Sequence, residues 1–77
     1  MIAEKKKRYP KLEAQMALKN VLKRDLAELL HKTNGVIPSR MDGSSEWGFW
    51  EVVMIKHYLE YEGALEELFE CVDVDAA

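Results

Sequence analysis

The sequence RDLAELLHKTNGVIPSRMDG, residues 24–43, decides the fold, because a strong helical pattern stops halfway through it. Its first half predicts a helix from about Lys23 to His31 or slightly beyond, with one apolar side formed by Leu26, Ala27, Leu29 and Leu30. Its second half contains Gly35 and Pro38, which both disfavour a helix interior. We therefore predict a helix, a turn, and a second element whose length depends on the position that Pro38 takes.

Helical patterns also lie on both sides of this stretch. Pro10 suits the first position of a helix over residues 10–20. A further helix is predicted from Gly48 to about Tyr61, where the Glu51 carboxylate reaches back to the free amides of the first turn. The segment ALEELFE, residues 64–70, predicts a last short helix. No strand pattern is convincing, so we predict an all-α protein, a compact bundle of about five short helices.

Length and composition narrow the class of protein. The chain has 77 residues, which suits one small domain, and its single cysteine, Cys71, allows no internal disulfide. A lone thiol fits a reducing cytoplasm, and no apolar run approaches the roughly 20 residues that span a bilayer. The N-terminal stretch has no apolar core of the kind a signal peptide needs. We expect a cytoplasmic protein without membrane contact, with a flexible basic arm (1–8), a folded domain (9–70) and a disordered tail (71–77).

Charge is distributed unevenly along the chain. Residues 1–40 hold ten of the eleven Lys and Arg side chains and four acids, a net charge of +6. Residues 41–77 hold one Lys and ten acids, a net charge of -9. A positive half suits phosphate, whereas the acidic half repels it.

Four segments of this chain together resemble the lambda-repressor-like family of phage and bacterial regulators. They are YPKLEAQMALKNVLKRDLAELL (9–30), the Met-Asp-Gly triplet at residues 41–43, the aromatic pair Trp47 and Phe49, and LEELFE (65–70). The resemblance extends over residues 9–70. It implies a Cro-like or repressor-type helix-turn-helix domain that binds duplex DNA as a homodimer and regulates transcription in a bacterial host cell.

The resemblance also implies which residues contact DNA. Phosphate contacts fall on Lys23 and Arg24 at the start of the second helix, where free amides and the helix dipole attract an anion. Base contacts fall on the third helix, at Asn34, Ser39 and Arg40. The basic residues of the arm add salt-sensitive phosphate contacts.

The turn of this chain departs from the family pattern, which has Gly followed by an aliphatic residue where His31 and Lys32 stand. In that register a lysine occupies an apolar position. The alternative that we favour extends the second helix to Thr33, uses Asn34-Gly35 as a left-handed cap, and fills the apolar position with Val36 or Ile37. The third helix then begins at Pro38 as PSRMD, about one turn long. Such a short helix offers few side chains to bases.

Several large apolar side chains occupy positions where such domains more often carry polar ones. These are Leu18, Leu22, Trp50 and Met54. Trp50 and Met54 are i, i+4 neighbours on the outer side of their helix, which suggests a contact surface. The alternative is that both tryptophans are core. Our candidates for a partner interface are Trp50, Met54, Leu65, Leu68 and Phe69.

Enzyme chemistry has no support in the sequence. His31, His57 and Cys71 lack a metal-ligand spacing, so we expect no metal or other cofactor. Two hypotheses follow. The first is a DNA-binding regulator. The second is a protein-binding antagonist on a degenerate helix-turn-helix, an anti-repressor or an acidic DNA mimic that inhibits a host nuclease.

Overall fold

A computed structural model of the chain describes residues 5–33 and 35–75, and over these residues the protein is mostly helical. Five helices lie between two short strands that pair with each other. In chain order the elements are β1 (Lys5–Arg8), α1 (Pro10–Leu18), α2 (Lys23–Leu29), α3 (Val36–Met41), α4 (Phe49–Tyr58), α5 (Leu65–Leu68) and β2 (Val72–Asp75). The helical class is confirmed, whereas the expectation of no strand is wrong.

The core takes at least one fully buried aliphatic side chain from every helix. These side chains are Leu12, Leu26, Ile37, Ile55, Leu59 and Leu68. Burying a Leu or Ile side chain contributes about 1.5–3 kcal/mol, so this small set accounts for much of the driving force of folding. Tyr9, Trp47 and Phe69 extend the core as an edge-to-face cluster, with ring centroids 5.3–6.4 Å apart.

Three helices end in the same hydrogen-bonded motif, with a residue other than glycine in the left-handed region. Asn20, His31 and Glu60 have φ values of 60°, 55° and 53°. After α2, the N–H of Lys32 donates to the carbonyl of Ala27 (2.9 Å) and the N–H of His31 donates to Glu28 (3.2 Å). This is a Schellman cap, and it ends α2 at Leu29.

The predicted extension of the second helix to Thr33 is therefore wrong. His31 takes the left-handed position itself, and the chain turns before Thr33. Gly35 has an ordinary φ of -72° and stands as the N-cap of α3, while Asn34 lies outside the described residues. Lys32 does not occupy an apolar position, since its side chain is exposed to solvent.

Pro38 lies inside α3 rather than at its first position. The helix begins at Val36, so Pro38 is its third residue. The N–H groups of a first helical turn have no intrahelical partner, and a proline there costs no backbone hydrogen bond. The predicted start at Pro38 is wrong by two residues, but the helix is still only six residues long. Of the two candidates for the apolar position, Ile37 is fully buried and Val36 only partly so.

The ends of the folded domain meet in an antiparallel ribbon. Lys5–Arg8 pairs with Val72–Asp75, with Lys7 opposite Asp73 and Arg8 opposite Val72. The N–H of Lys7 also donates to the carbonyl of Asp42 (2.8 Å), which ties the ribbon to the end of α3. The predicted arm and tail are thus paired with each other over these residues. Over the part of the chain that the structure describes, no helix is long and apolar enough to cross a membrane.

Candidate nucleic-acid interface

We define a basic face by two cations of β1, Lys6 and Arg8, and two at the start of α2, Lys23 and Arg24. All four side chains are exposed. Lys23 and Arg24 are the first two residues of α2. Lys23 lines a cleft of about 180 Å³ together with Pro38 and Met41 of α3. The basic face therefore borders α3 directly.

Two carboxylates lie within the basic face and reduce its charge. Arg8 donates from Nη2 to Oε1 of Glu13 (2.9 Å), and this hydrogen bond is the main reason why the pKa of Glu13 is lowered, with Lys23 adding attraction. The pKa of Asp42 is lowered chiefly by its hydrogen bonds from Ser44, with Lys6 and Lys23 adding attraction. Because Lys6 and Lys23 both act on Asp42, they lie on one side of the molecule.

The first turn of α2 already holds a carboxylate of its own. Asp25 accepts a hydrogen bond at Oδ2 from the N–H of Leu22 (2.7 Å), an arrangement that caps the helix. The bond takes one of the free amides and sets a negative charge at the positive end of the helix dipole. Attraction of an anion at this end of α2 therefore depends on the side chains of Lys23 and Arg24.

Arg40 does not project to solvent as a base-reading residue would. Its Nε and Nη2 atoms lie 2.7 Å and 3.1 Å from the two carboxylate oxygens of Glu51, and Nη1 donates to Ser45 Oγ (3.0 Å). The Arg40 and Glu51 side chains are only 18% and 13% exposed. The guanidinium therefore joins α3 to the first turn of α4.

Glu51 has a second role at the start of α4, as the sequence predicts. Its Oε1 atom accepts from the N–H of Gly48 (2.8 Å). Burial alone would raise the pKa of Glu51, but the Gly48 N–H and the Arg40 guanidinium together outweigh burial and lower the pKa. Sequence reasoning found this helix cap from local spacing but missed the Arg40 partner, because eleven residues separate the two side chains.

The remaining predicted base contacts are also constrained. Ser39 Oγ lies 3.1 Å from Ser45 Oγ, and the Ser39 side chain is half-buried. Asn34 lies outside the described residues. Pro38 is the one exposed side chain within Val36–Met41. The structure thus brings Ser39 and Arg40 together around Ser45 instead of presenting them on an open helix face.

A second surface runs along the outside of α4. We define the α4 outer face as Phe49, Trp50, Val53, Met54, His57 and Tyr58. The exposed fractions of Phe49, Trp50, Met54 and Tyr58 are 65%, 73%, 40% and 47%. Five of these six residues, all but Phe49, line an apolar groove of about 340 Å³ with Leu29 of α2.

The predicted partner-interface residues divide into two groups. Trp50 and Met54 lie on the α4 outer face, whereas Trp47 packs against the core. Leu68 is fully buried, so its side chain is not available to a partner. Phe69 packs against Tyr9 and Trp47, and Leu65 is half-buried. Leu18 and Leu22 are exposed at the α1–α2 junction.

Within the described ranges 5–33 and 35–75, no group of three or more His, Cys, Asp or Glu side chains is placed so that it could hold a metal ion.

Comparisons with known proteins return no match: no protein-family model, curated protein or solved structure is significantly similar to this chain.

Proposed function

We propose that this chain binds duplex DNA through a lambda-repressor-like helix-turn-helix formed by α2 and α3, and that it acts as a small bacterial or phage regulator. The observation that carries the proposal is the basic face, where Lys6, Lys23 and Arg24 stand exposed beside α3. The order of elements, with α2 followed by a tight turn and a short α3 over a shared core, agrees with that class of domain.

In this proposal the contacts fall mainly on the phosphate backbone. Lys23 and Arg24 neutralise phosphates at the start of α2, and Lys6 extends the contact along the strand. Sequence readout is small, because Arg40 is held by Glu51 and Ser39 by Ser45. A domain of this kind prefers its own site by a modest factor and releases DNA as salt rises.

The test is a duplex-binding titration over a range of salt concentrations. We expect the double variant Lys23→Ala/Arg24→Ala to lose affinity and to lower the magnitude of the log–log salt slope by about 1.8, since each phosphate contact contributes about 0.9. The matched control is Lys11→Ala/Lys56→Ala, which removes the same charge away from the basic face. Equal loss in both variants, or a slope unchanged by Lys23→Ala/Arg24→Ala, would refute the proposed contacts.

A second candidate is a protein-binding antagonist that uses the acidic half of the chain. Exposed carboxylates of Glu60 and Glu62, which lie between α4 and α5, and of Glu66 within α5 support this function. Glu67 and Glu70 support it less, because Lys11 lies 4.0 Å and 3.2 Å from their oxygens. Reversal of Glu60, Glu62 and Glu66 to Lys should abolish inhibition of a DNA-binding partner. Full inhibition by that variant would exclude acidic mimicry.

A further inference from the structure

The ribbon of β1 and β2 has one face that combines cations with apolar side chains. Successive side chains of a strand point to opposite sides, and residues directly opposite each other on paired strands share a side. In the register of this ribbon, two cations of β1 therefore stand opposite two valines of β2 on the same side. The valines are 44% and 37% exposed. We define the ribbon face by these four side chains: Lys6, Arg8, Val72 and Val74.

The opposite side of the ribbon is the one that packs on the protein body. It carries Lys7 and its partner Asp73. A Cβ added to Gly43 would lie 2.8 Å from Cγ of Lys7, so the Lys7 side chain lies against this glycine. Lys7 also lines a cleft of about 320 Å³ with Tyr9 and Trp47. The ribbon face is therefore turned away from the aromatic cluster of the core.

The ribbon face and the start of α2 lie on the same side of the molecule. Lys6 and Lys23 both attract the carboxylate of Asp42. Arg8 donates to Glu13 (2.9 Å), which Lys23 attracts as well. A duplex whose phosphates are bound by Lys23 can therefore contact the ribbon face at the same time.

The dimensions and chemistry of the ribbon suit the major groove of B-DNA. Paired strands lie about 4.8 Å apart, and the groove, about 12 Å wide, admits a two-stranded ribbon. The four residues of each strand extend about 13 Å, the length of about four base pairs. The ribbon face includes no carboxylate, so it meets the phosphates at the rim of the groove without repulsion from its own side chains. The 5-methyl group of thymine is an apolar feature of the groove that an exposed valine can contact.

We propose that the ribbon face enters the major groove, where Val72 and Val74 contact thymine methyl groups and Lys6 binds a phosphate. This inference rests on the proposed DNA-binding function and names the element that supplies a preference among bases. The third helix supplies little of that preference, because the guanidinium of Arg40 is held by Glu51. The expected preference is for thymine at the contacted positions and not for a longer sequence.

The test compares two short alternating A·T duplexes that differ only in carrying thymine or deoxyuridine, which lacks the 5-methyl group. We expect the wild-type chain to bind the thymine duplex about threefold to tenfold more tightly, because contact with the valines removes apolar surface from water. Val72→Thr/Val74→Thr keeps the shape and the strand preference of both side chains and should bind the two duplexes equally. Val53→Thr on α4 makes the same replacement outside the ribbon and should keep the thymine preference.

The outcomes separate this inference from the DNA-binding function itself. Binding that depends on Lys23 and Arg24 but is equal for thymine and deoxyuridine would refute groove entry by the ribbon and leave the DNA-binding function standing. A thymine preference that persists in Val72→Thr/Val74→Thr would place the methyl contacts on another element and refute the inference as well. A chain that binds neither duplex at low salt would refute both the function and the inference.

Anionic vesicles are the second probe, because a face of cations and apolar side chains also suits a membrane surface. Vesicles of phosphatidylcholine and phosphatidylglycerol in equal parts should not bind the chain in a valine-dependent manner. Vesicle binding that Val72→Thr/Val74→Thr abolishes, together with equal affinity for the two duplexes, would assign the ribbon face to a lipid surface and overturn the proposal.

Discussion

Replacement of Arg40 by Met should destabilise the fold while leaving phosphate-dependent DNA binding similar to that of a control with the same charge. The resemblance implies that Arg40 reads a base, whereas the structure holds its guanidinium against Glu51 and Ser45. The two roles predict opposite outcomes. A base-reading arginine contributes to affinity and little to folding, and a buried linking arginine contributes chiefly to folding.

The magnitude follows from the burial of the Arg40–Glu51 pair. Exposed ion pairs contribute about 0–1 kcal/mol, and breaking a fully buried pair costs about 3–5 kcal/mol. With side chains 18% and 13% exposed, this pair lies nearer the buried limit, but Glu51 retains the N–H of Gly48 after the substitution. We expect Arg40→Met to lower the free energy of unfolding by about 2–3 kcal/mol. In a domain of this length such a loss lowers Tm by roughly 10–20 °C.

The assay is urea unfolding followed by far-ultraviolet circular dichroism, arranged as a double-mutant cycle of Arg40→Met and Glu51→Gln. The cycle should yield a coupling energy of at least about 1 kcal/mol, because the two side chains share their hydrogen bonds. Lys56→Ala, which removes the same charge away from the basic face, is the control for DNA binding. Arg24→Ala should behave in the opposite way to Arg40→Met, with stability unchanged and DNA affinity reduced. An Arg40→Met variant with wild-type stability and a reduced preference for its own DNA site would refute the structural role and restore Arg40 as a base contact.

Three further predictions concern the turns and the acid response. Gly43 has a φ of 87°, and a Cβ added there would lie 2.8 Å from Cγ of Lys7, so Gly43→Ala should lower the free energy of unfolding by about 1–2 kcal/mol. Gly35 has no atom within 4 Å of an added Cβ, so Gly35→Ala should leave the free energy of unfolding unchanged or raise it by up to about 1 kcal/mol. Urea unfolding measures both changes. A destabilised Gly35→Ala would instead support a left-handed Gly35. His31→Gly should stabilise the fold by about 0.5–1 kcal/mol in the same assay, because glycine adopts its φ of 55° without strain; a loss of stability would show that the His31 side chain matters more than its backbone. The pKa of Glu51 is lower in the folded state than its ordinary value of 4.5, so the contribution of Glu51 to stability is present above that value and is lost as pH falls through the folded pKa. The Tm values of wild type and Glu51→Gln should therefore converge on acidification. A difference in Tm that stays constant with pH would contradict this linkage.

Much of the helical content was accessible from local sequence, because the interactions that start and stop a helix lie within a few residues of one another. Pro10 begins α1 as predicted, and Glu51 caps α4 from three residues away. The apolar stripe of the second predicted helix identified Leu26 and Ala27 as core. The two-stranded ribbon was missed, because Lys5–Arg8 shows no alternation and finds its partner more than sixty residues away.

The candidate site was predictable only in part. The charge asymmetry and the place of Lys23 and Arg24 at the start of α2 follow from sequence, since both are local properties. The conformation of the turn did not, because His31 adopts a left-handed φ that local preference assigns to glycine. With His31 in this conformation, α2 and α3 pack on a shared core that contains Leu26 and Ile37.

By itself, then, the sequence determined that the chain is mostly helical, where the main helices begin, and that its cations gather in the first half. Tertiary structure alone decided that Arg40 is held by Glu51, that Leu68 is buried, and that Trp50 is exposed while Trp47 packs on the core. Helix periodicity gives the angle between side chains on one helix. Which of two apolar sides faces inward depends on the neighbouring helices, and the sequence of one helix does not specify which helices pack against it.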